Sequence, residues 1–349
     1  MRRPPVLALL GLLACNPAEL EVVRAEQIGT VPRSAAIQGR DGGGSAHAFG
    51  RTVWVYGDTV LDFADEDGSN WHTNSWDHAD PAAWMAGFET PVDSLGAPRH
   101  FVELTAEEKA WNDLHAAEQC PEPPCGVRWA LWPSSPVWDA TRERAWIFYG
   151  LHNDELPGGI GIASWDGLDQ PVVRRQVGDS WLLFPAPEIE WGAGLVAADD
   201  FIHAFGCPRS GLARHCRLAR APLEDPSDRS AWQFWNGDQW SSSDDRTERL
   251  FEGATIMEVS WNQGLDRWLL VYSEPFDNDV VARTAEHLTG PWSSPAVLFR
   301  APGESPYDAV HHPDLEEQDG LIQYISYSRP TSGWFGSEHV LWRVELARP

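Results

Sequence analysis

Positive charge is what this sequence has least of. Against 52 acidic residues stand only 26 basic ones, for a formal net charge of −26, and Lys109 is the one lysine among them. A surface of that sign repels phosphate backbones and anionic headgroups, which excludes nucleic acid as a partner. The short signatures of several chemistries are missing too: there is no G-x-S-x-G, no Walker A sequence and no H-E-x-x-H. GGGSAHAFG is rich in glycine, but it lacks the preceding strand and following helix that a dinucleotide site requires. Beyond the first apolar run no segment is long enough to cross a bilayer as a helix.

That first run lies in MRRPPVLALLGLLAC, where two arginines precede apolar residues from Val6 to Leu13. Its proportions are those of a secretory signal, and Leu-Leu-Ala-Cys at its end resembles a bacterial lipobox. The expectation is a signal peptide over 1–14, acylation at Cys15, a tether over 15–24, and a protein exported and held in the bacterial cell envelope. Membrane contact would then be through the anchor alone. Four cysteines remain, in two close pairs, and an oxidising compartment makes Cys120–Cys125 and Cys207–Cys216 disulfides. Neither pair has the spacing of a zinc site, and no metal is expected.

What is abundant is a repeated strand signature. TVWVYGDT, RAWIFYGL, DFIHAFGC, RWLLVYSE and LIQYISYS recur with Trp54, Trp146, Ile202, Trp268 and Ile322 in register, at spacings of 92, 56, 66 and 54 residues. Each follows a turn rich in Gly, Asp or Asn and an earlier short strand, so each is the second strand of a hairpin. Three or four strands per unit is the rhythm of propeller blades. The prediction is an all-β, five-bladed β-propeller from about residue 25 to 349. The long first spacing becomes an insertion after the first blade hairpin, about 62–128, with one helix capped by Thr105 and Glu108 in LTAEEKAWNDLHAAE.

The 20 tryptophans serve two readings. Trp54, Trp146 and Trp268, in the repeated strands, suit the wedges between blades. Trp71, Trp76, Trp84 and Trp334, in loops, suit either edge packing or stacking on sugar rings.

The first hairpin, RDGGGSAHAFGRTVWVYGDTVLD, carries an aspartate at each open end. With its bend near Gly50 and Arg51, antiparallel pairing sets Asp58 opposite about Gly43 and Asp41 opposite about Val60. The two are then diagonal neighbours, at roughly 7–8 Å or less, near the separation of paired carboxylates in glycoside hydrolysis. The residues matching Asp58 in the other repeats are Gly150, Gly206, Tyr272 and Ser326, so only the first blade has an acid there. Other candidates for the same channel are Glu188 and Glu258 at strand starts and His311 and His312 in the last blade. Neighbours on a strand face opposite ways, so at most one of the two histidines points into the channel.

DGGGSAHAFGRTVWVYGDT, the segment ARTAEHLTGPWSSPAVLF and the late PDLEEQDGLIQYISYSRP resemble the propeller family catalogued as domain of unknown function 4185. Its members include bacterial endo-D-arabinanases of glycoside hydrolase family 183, and its architecture is similar to that of family 43 furanosidases. The resemblance implies Asp41 and Asp58 as a catalytic carboxylate pair, with Glu258 in TIMEVSW as general acid. It implies hydrolysis of a furanose-containing, arabinan-like polysaccharide or oligosaccharide, with Glu188, His311, His312, Trp71 and Trp76 as candidate sugar contacts. The competing expectation is a lipoprotein that binds glycan or protein without cleaving it. No cofactor is expected. A structural calcium ion at DFADEDGSN is the one alternative, although Phe63 and Asn74 stand where an EF-hand needs its first and last acidic ligands.

Overall fold

The computed structural model describes residues 20–303, 306–332 and 336–348. The expected signal peptide, Cys15 and Trp334 lie outside the described residues. The strands form five antiparallel sheets. Blade 1 is built on Ile37–Ala48 and Arg51–Leu61, and blade 2 on Ala130–Pro133, Val137–Asp139, Arg144–His152 and Gly159–Trp165. Blade 3 is built on Trp191–Ala198, Phe201–Gly206 and Ala213–Pro222, and blade 4 on Glu258–Asn262, Arg267–Ser273, Asp279–Ala285 and Ala296–Arg300. Blade 5 comprises Tyr307–His311, Ile322–Pro330 and Ser337–Leu346.

Each repeated apolar signature is the second strand of its blade, as the periodicity predicted. It is apolar throughout because both faces of a blade are covered by neighbouring blades. Five apolar clusters fill the five seams. Val53, Trp165 and Ile147 pack between blades 1 and 2, and Trp146, Trp191 and Trp232 between blades 2 and 3. Phe205 with Tyr272 and Leu269 with Ile325 fill the next two seams, and Trp54 with Tyr324 fills the last. Trp54 and Trp146 are buried in these wedges as expected, whereas Trp268 is half-buried against Trp261.

The ring is closed by Val22–Thr30, which pairs with Ser337–Leu346 as the outermost strand of blade 5, from Val22 opposite Leu346 to Thr30 opposite Val340. The last three residues of the expected tether therefore belong to the propeller. Facing solvent over much of its length, this strand has no apolar signature to reveal it.

The expected insertion is also shorter than its sequence suggested. Ser75–Ala79 pairs with Thr52–Tyr56 and Trp71–His72 with Thr59 and Val60, so 71–79 supply the outer strands of blade 1. Polar Ser75 and Asp77 hid them: Asp77 is fully buried, in an ion pair of 2.7 Å with buried Arg40. The rest of the insertion carries the helix Ala106–His115 with its capping box at Thr105 and Glu108. Glu108 also pairs with Arg174 at 2.5 Å, which pins the helix to the outer edge of blade 2. Both disulfides are formed, Cys120–Cys125 within the insertion and Cys207–Cys216 in blade 3.

Candidate active site

The hairpin of blade 1 turns at Phe49 and Gly50, both with positive φ, and its open end lies at one rim of the central channel. There the pairing departs from the regular register. Arg40 faces Thr59 but Gly42 faces Tyr56, so Asp41 alone stands opposite both Gly57 and Asp58. One step further Gly44 faces Val55, leaving Gly43 as a second extra residue on the other strand. The bulges offset one another, one extra residue on each strand, and the register itself follows from the turn, which falls one residue earlier than expected: with Ala48 facing Arg51, Asp41 and Asp58 stand opposite one another rather than diagonally. Gly42 and Gly43 have φ of 72° and 107°, which is why the stretch needs glycine. Gly57 has to be glycine for a different reason, since a Cβ there would lie 2.5 Å from the Asp41 carboxylate.

Blade 5 holds this distorted strand from behind. Ser337 Oγ accepts from Arg40 N–H at 2.8 Å and donates to the Arg40 carbonyl at 2.7 Å. His339 Nε2 donates to the Gly42 carbonyl at 2.8 Å. Burial, helped by the charge of Arg40, lowers the His339 pKa to about 3, so the ring is neutral and keeps Nε2 as its donor. The residues on both sides of Asp41, Arg40 and Gly42, are therefore tied through their backbones to another blade.

A third carboxylate joins the pair. Asp308, at the start of blade 5's inner strand, holds a left-handed φ of 53° and accepts from the Gly42 N–H. Burial and the nearby Asp41 charge raise its pKa well above the ordinary value. Burial, then the charge of Asp58, raises Asp41 to about 7, against the opposing hydrogen bond from the Asp58 N–H. Burial raises Asp58 to about 6, less than its neighbour, because the Trp132 indole donates to it at 3.2 Å and His152 and Arg128 favour its charge. Of the pair, Asp58 is therefore the more ionised near neutral pH and Asp41 the more protonated.

Aromatic faces flank these acids. Trp132 is 41% exposed and stacks on His152 with centroids 4.8 Å apart, and Tyr307 is 56% exposed beside Asp308. Trp71 belongs to the same rim, with the Arg128 guanidinium 4.9 Å over its ring.

Several other sequence candidates are placed elsewhere. Trp76 is buried edge-on to Trp165 and beside Phe101, and its burial in the core denies it to a sugar. Trp84 is likewise buried, against Trp54 and Tyr324. His311 and His312 are both fully buried and so closed to a ligand. The first bonds Ser260; the second bonds Ser45 and Ser326 and lies 3.9 Å from the Trp54 ring. They are interior polar links between inner strands rather than sugar contacts. Glu188 is paired with Arg229 at 2.7 Å, and that guanidinium lies over Phe184 and Phe234 at the seam of blades 2 and 3. The ion pair spends its carboxylate on joining those blades.

Glu258 is buried at the start of blade 4's inner strand, opposite Val271, the counterpart of Gly57 in blade 1. Its carboxylate accepts from Ser135 Oγ at 2.7 Å, and Gly44 packs so closely on that hydroxyl that a Cβ would lie 2.2 Å from it. Burial raises its pKa to about 8, and the neighbouring charge acting on it is that of Asp314 rather than of the rim aspartates.

At DFADEDGSN, Asp65 accepts from the N–H groups of Asp67 and Ser69, and its other oxygen bonds His72 at 2.6 Å. That is turn chemistry, and among the described residues no cluster of three or more His, Cys, Asp or Glu has the geometry to hold a metal ion.

Trp132, Tyr307 and Asp308 escaped the sequence reading. Trp132 had a usable signal, since it pairs with Gly150, the blade 2 counterpart of Asp58. Asp308 stands at the head of its inner strand, much as Asp41 stands near the head of blade 1's.

The fold is similar to that of several solved hydrolases. A putative hydrolase from Bacteroides ovatus superposes with a TM-score of 0.61 at 15% identity, over 93% of each chain. A GH43_1 enzyme from Xanthomonas citri, solved with xylotriose, gives 0.53 at 14% identity over 93% of this chain and 91% of its own. The catalytic domain of a GH62 α-L-arabinofuranosidase from Coprinopsis cinerea gives 0.52 at 12% identity over 93% and 98%. At such identities the likeness is one of fold. By sequence, residues 169–332 match the model of the family described as Domain of unknown function (DUF4185), as the late motifs suggested. Asp41 and Asp58 precede the matched region. No curated protein matches the chain.

Proposed function

We propose that this propeller is a glycoside hydrolase of the cell envelope, acting on a furanose-containing, arabinan-like glycan. The observation that carries the reading is the hairpin register, which sets two carboxylates opposite one another at the channel mouth, with pKa values raised to about 7 and about 6 and exposed aromatic faces beside them. Asp41 keeps its proton up to about pH 7 and supplies it to the leaving glycosidic oxygen. Asp58 ionises near 6 and acts as the carboxylate at the anomeric carbon, directly or through water. Trp132 holds Asp58 in place and, with Tyr307, offers a face for the sugar ring. The fold relatives, one an α-L-arabinofuranosidase and one solved with xylotriose, favour a neutral sugar.

Glu258, expected from the family resemblance to be the general acid, is better suited to supporting the strand that carries Asp41, through Ser135 and Gly44. With a pKa near 8 it is neutral at working pH, and an amide reproduces its bond with Ser135. Glu258→Gln should stay within about threefold of wild-type turnover, with pH limbs still near 6 and 7. A thousandfold loss with the upper limb gone would make Glu258 the acid.

The lipid anchor proposed at Cys15 gives the protein an orientation. Val22 lies at the end of blade 5 opposite Asp41: it pairs with Leu346, whereas Arg40 bonds Ser337 at the other end of the same strand. A chain tethered just before Val22 stands on the far face of the propeller and turns its carboxylates away from the bilayer.

The reading is tested by incubating the soluble form with arabinans, arabinogalactans and other furanosyl glycans and resolving the products by chromatography. Release of oligosaccharides by wild type and not by Asp58→Asn is the expected result. Binding without release from any glycan would replace the hydrolase with a glycan-binding propeller.

A further inference from the structure

On the same face as the carboxylates, at the seam of blades 5 and 1, lies a cavity of about 420 Å³. That is within the range of small-ligand sites. Its lining includes Arg33, Gln38, Asp62, Thr331 and Ser332, with Ile37 among the apolar residues. Nothing in the chemistry proposed above uses it.

Its framework is ordered by backbone hydrogen bonds. The Asp62 N–H donates to the Ala36 carbonyl at 2.9 Å, Ile37 N–H to Ser34 at 3.1 Å, and Thr331 N–H to Gly336 at 2.8 Å. Arg33 is steadied by the Ser337 carbonyl, to which it donates, so the residue that clamps Arg40 beside Asp41 also fixes one wall of the cavity. The Asp62 carboxylate and the Ser332 hydroxyl, by contrast, make no hydrogen bond among the described residues.

The placement relative to the acids follows from strand geometry. Gln38 precedes Asp41 by three residues on one strand, and Asp62 follows Asp58 by four on its partner, which at about 3.3 Å per residue sets the cavity roughly 10–13 Å from the carboxylates. A single sugar bound at the acids cannot fill it, whereas a chain leaving them along the seam passes over it. A carboxylate accepts from adjacent hydroxyls, a guanidinium donates, hydroxyls do both, and the charges of Arg33 and Asp62 balance: this set recognises an uncharged polyol and offers nothing to a hydrophobic or strongly anionic group.

We propose that this cavity is a remote subsite that binds a neutral sugar residue of the same glycan chain, away from the bond cleaved. It rests on the hydrolase reading for its glycan but not for its detection, and it makes the substrate a chain long enough to reach both places. Two variants probe it. Asp62→Ala removes the free acceptor, and Thr331→Trp fills the space from a different strand end.

Calorimetric titration with a ladder of arabino-oligosaccharides, in an Asp58→Asn background so that nothing is cleaved, should show a step of about tenfold in affinity once the chain is long enough to span the gap. Either variant should abolish the step while leaving the affinity for shorter members unchanged. Turnover of wild type, Asp62→Ala and Thr331→Trp on the same ladder should show KM raised about tenfold for long chains only, with kcat retained. Affinity without a length step, a step that survives both variants, or no binding of any member overturns the subsite. Absence of products from wild type overturns the hydrolase instead, and the titration then still decides the subsite alone.

Discussion

Asp58→Asn should cost a thousandfold or more in turnover and, above neutral pH, make the protein more stable. The activity loss follows from the role of the carboxylate that ionises more readily of the pair. The amide cannot act at an anomeric carbon, and the contribution of such a group is about 10²–10⁴ before any loss of charge stabilisation is added. The stability gain follows from the direction of the pKa shift. Burial raises Asp58 from 3.8 to about 6, so the folded protein binds its proton more tightly than the unfolded chain does. The contribution favouring the fold is complete below about pH 4 and is lost as pH rises through about 6. At pH 8 the native state holds a partly desolvated charge that the unfolded chain holds in water. Asparagine removes that penalty and still accepts from the Trp132 indole. Because Asp58 is only half-buried, solvent screening limits the gain to a few degrees in Tm at pH 8, and none is expected at pH 4. Thermal melts at the two pH values, beside turnover on the glycan that wild type cleaves, read both effects. Retention of more than a tenth of the activity would remove Asp58 from the chemistry, and a Tm lowered at both pH values would show that its charge supports the fold.

Such a trade between activity and stability is expected where a site is built from acids that the fold does not favour in charged form. Asp41 and Asp308 extend the argument, since burial moves both in the same direction. Burial and mutual repulsion therefore disfavour ionisation of all three acids together.

The parts of this protein legible in its sequence are those set by local pattern. The second strand of each blade is buried on both faces, so it repeats as an unbroken apolar run, and five runs foretold five sheets. The disulfides join residues only 5 and 9 apart in the chain, and the capping box is three residues wide. The aspartate pair was visible because a hairpin makes neighbours of residues 17 apart. What stayed hidden depends on contacts between blades. His311 and His312 have the chemistry of ligands, and only the serines of neighbouring inner strands show that they belong to the interior. Trp76 and Trp71 are alike in sequence, yet one is enclosed by Phe101 and Trp165 while the other stays at the rim with Arg128. Asp308 reaches Asp41 only because the ring closes on blade 5, a contact with no local trace.

The register shift is the intermediate case, and it sets the second large effect. Three consecutive glycines announced that no side chain was wanted beside Asp41, but not that two of them adopt left-handed φ to form a bulge. Gly43→Ala should disable the enzyme without touching a carboxylate. At a φ of 107° an alanine is strained by about 1–2 kcal/mol. Its Cβ would also lie 2.8 Å from the His339 ring, an overpacking worth about 1–3 kcal/mol more. Relief requires His339 to move, which breaks its bond to the Gly42 carbonyl, or the strand to shift, which carries Asp41 with it. A displacement near 1 Å at a reacting group costs about a hundredfold in rate. Gly50→Ala is the control: its φ of 73° carries a similar backbone penalty, but nothing lies within 4 Å of the added carbon and the turn is at the other end of the hairpin. The expected pattern is a modest loss of stability with full activity for Gly50→Ala, and a larger loss with turnover down about a hundredfold for Gly43→Ala. His339→Gln, which keeps a donor where the ring nitrogen stood, should retain more activity than His339→Ala. If both variants of His339 and Gly43→Ala turn over normally while melting lower, the bulge serves the fold alone, and the two aspartates do not depend on it for their alignment.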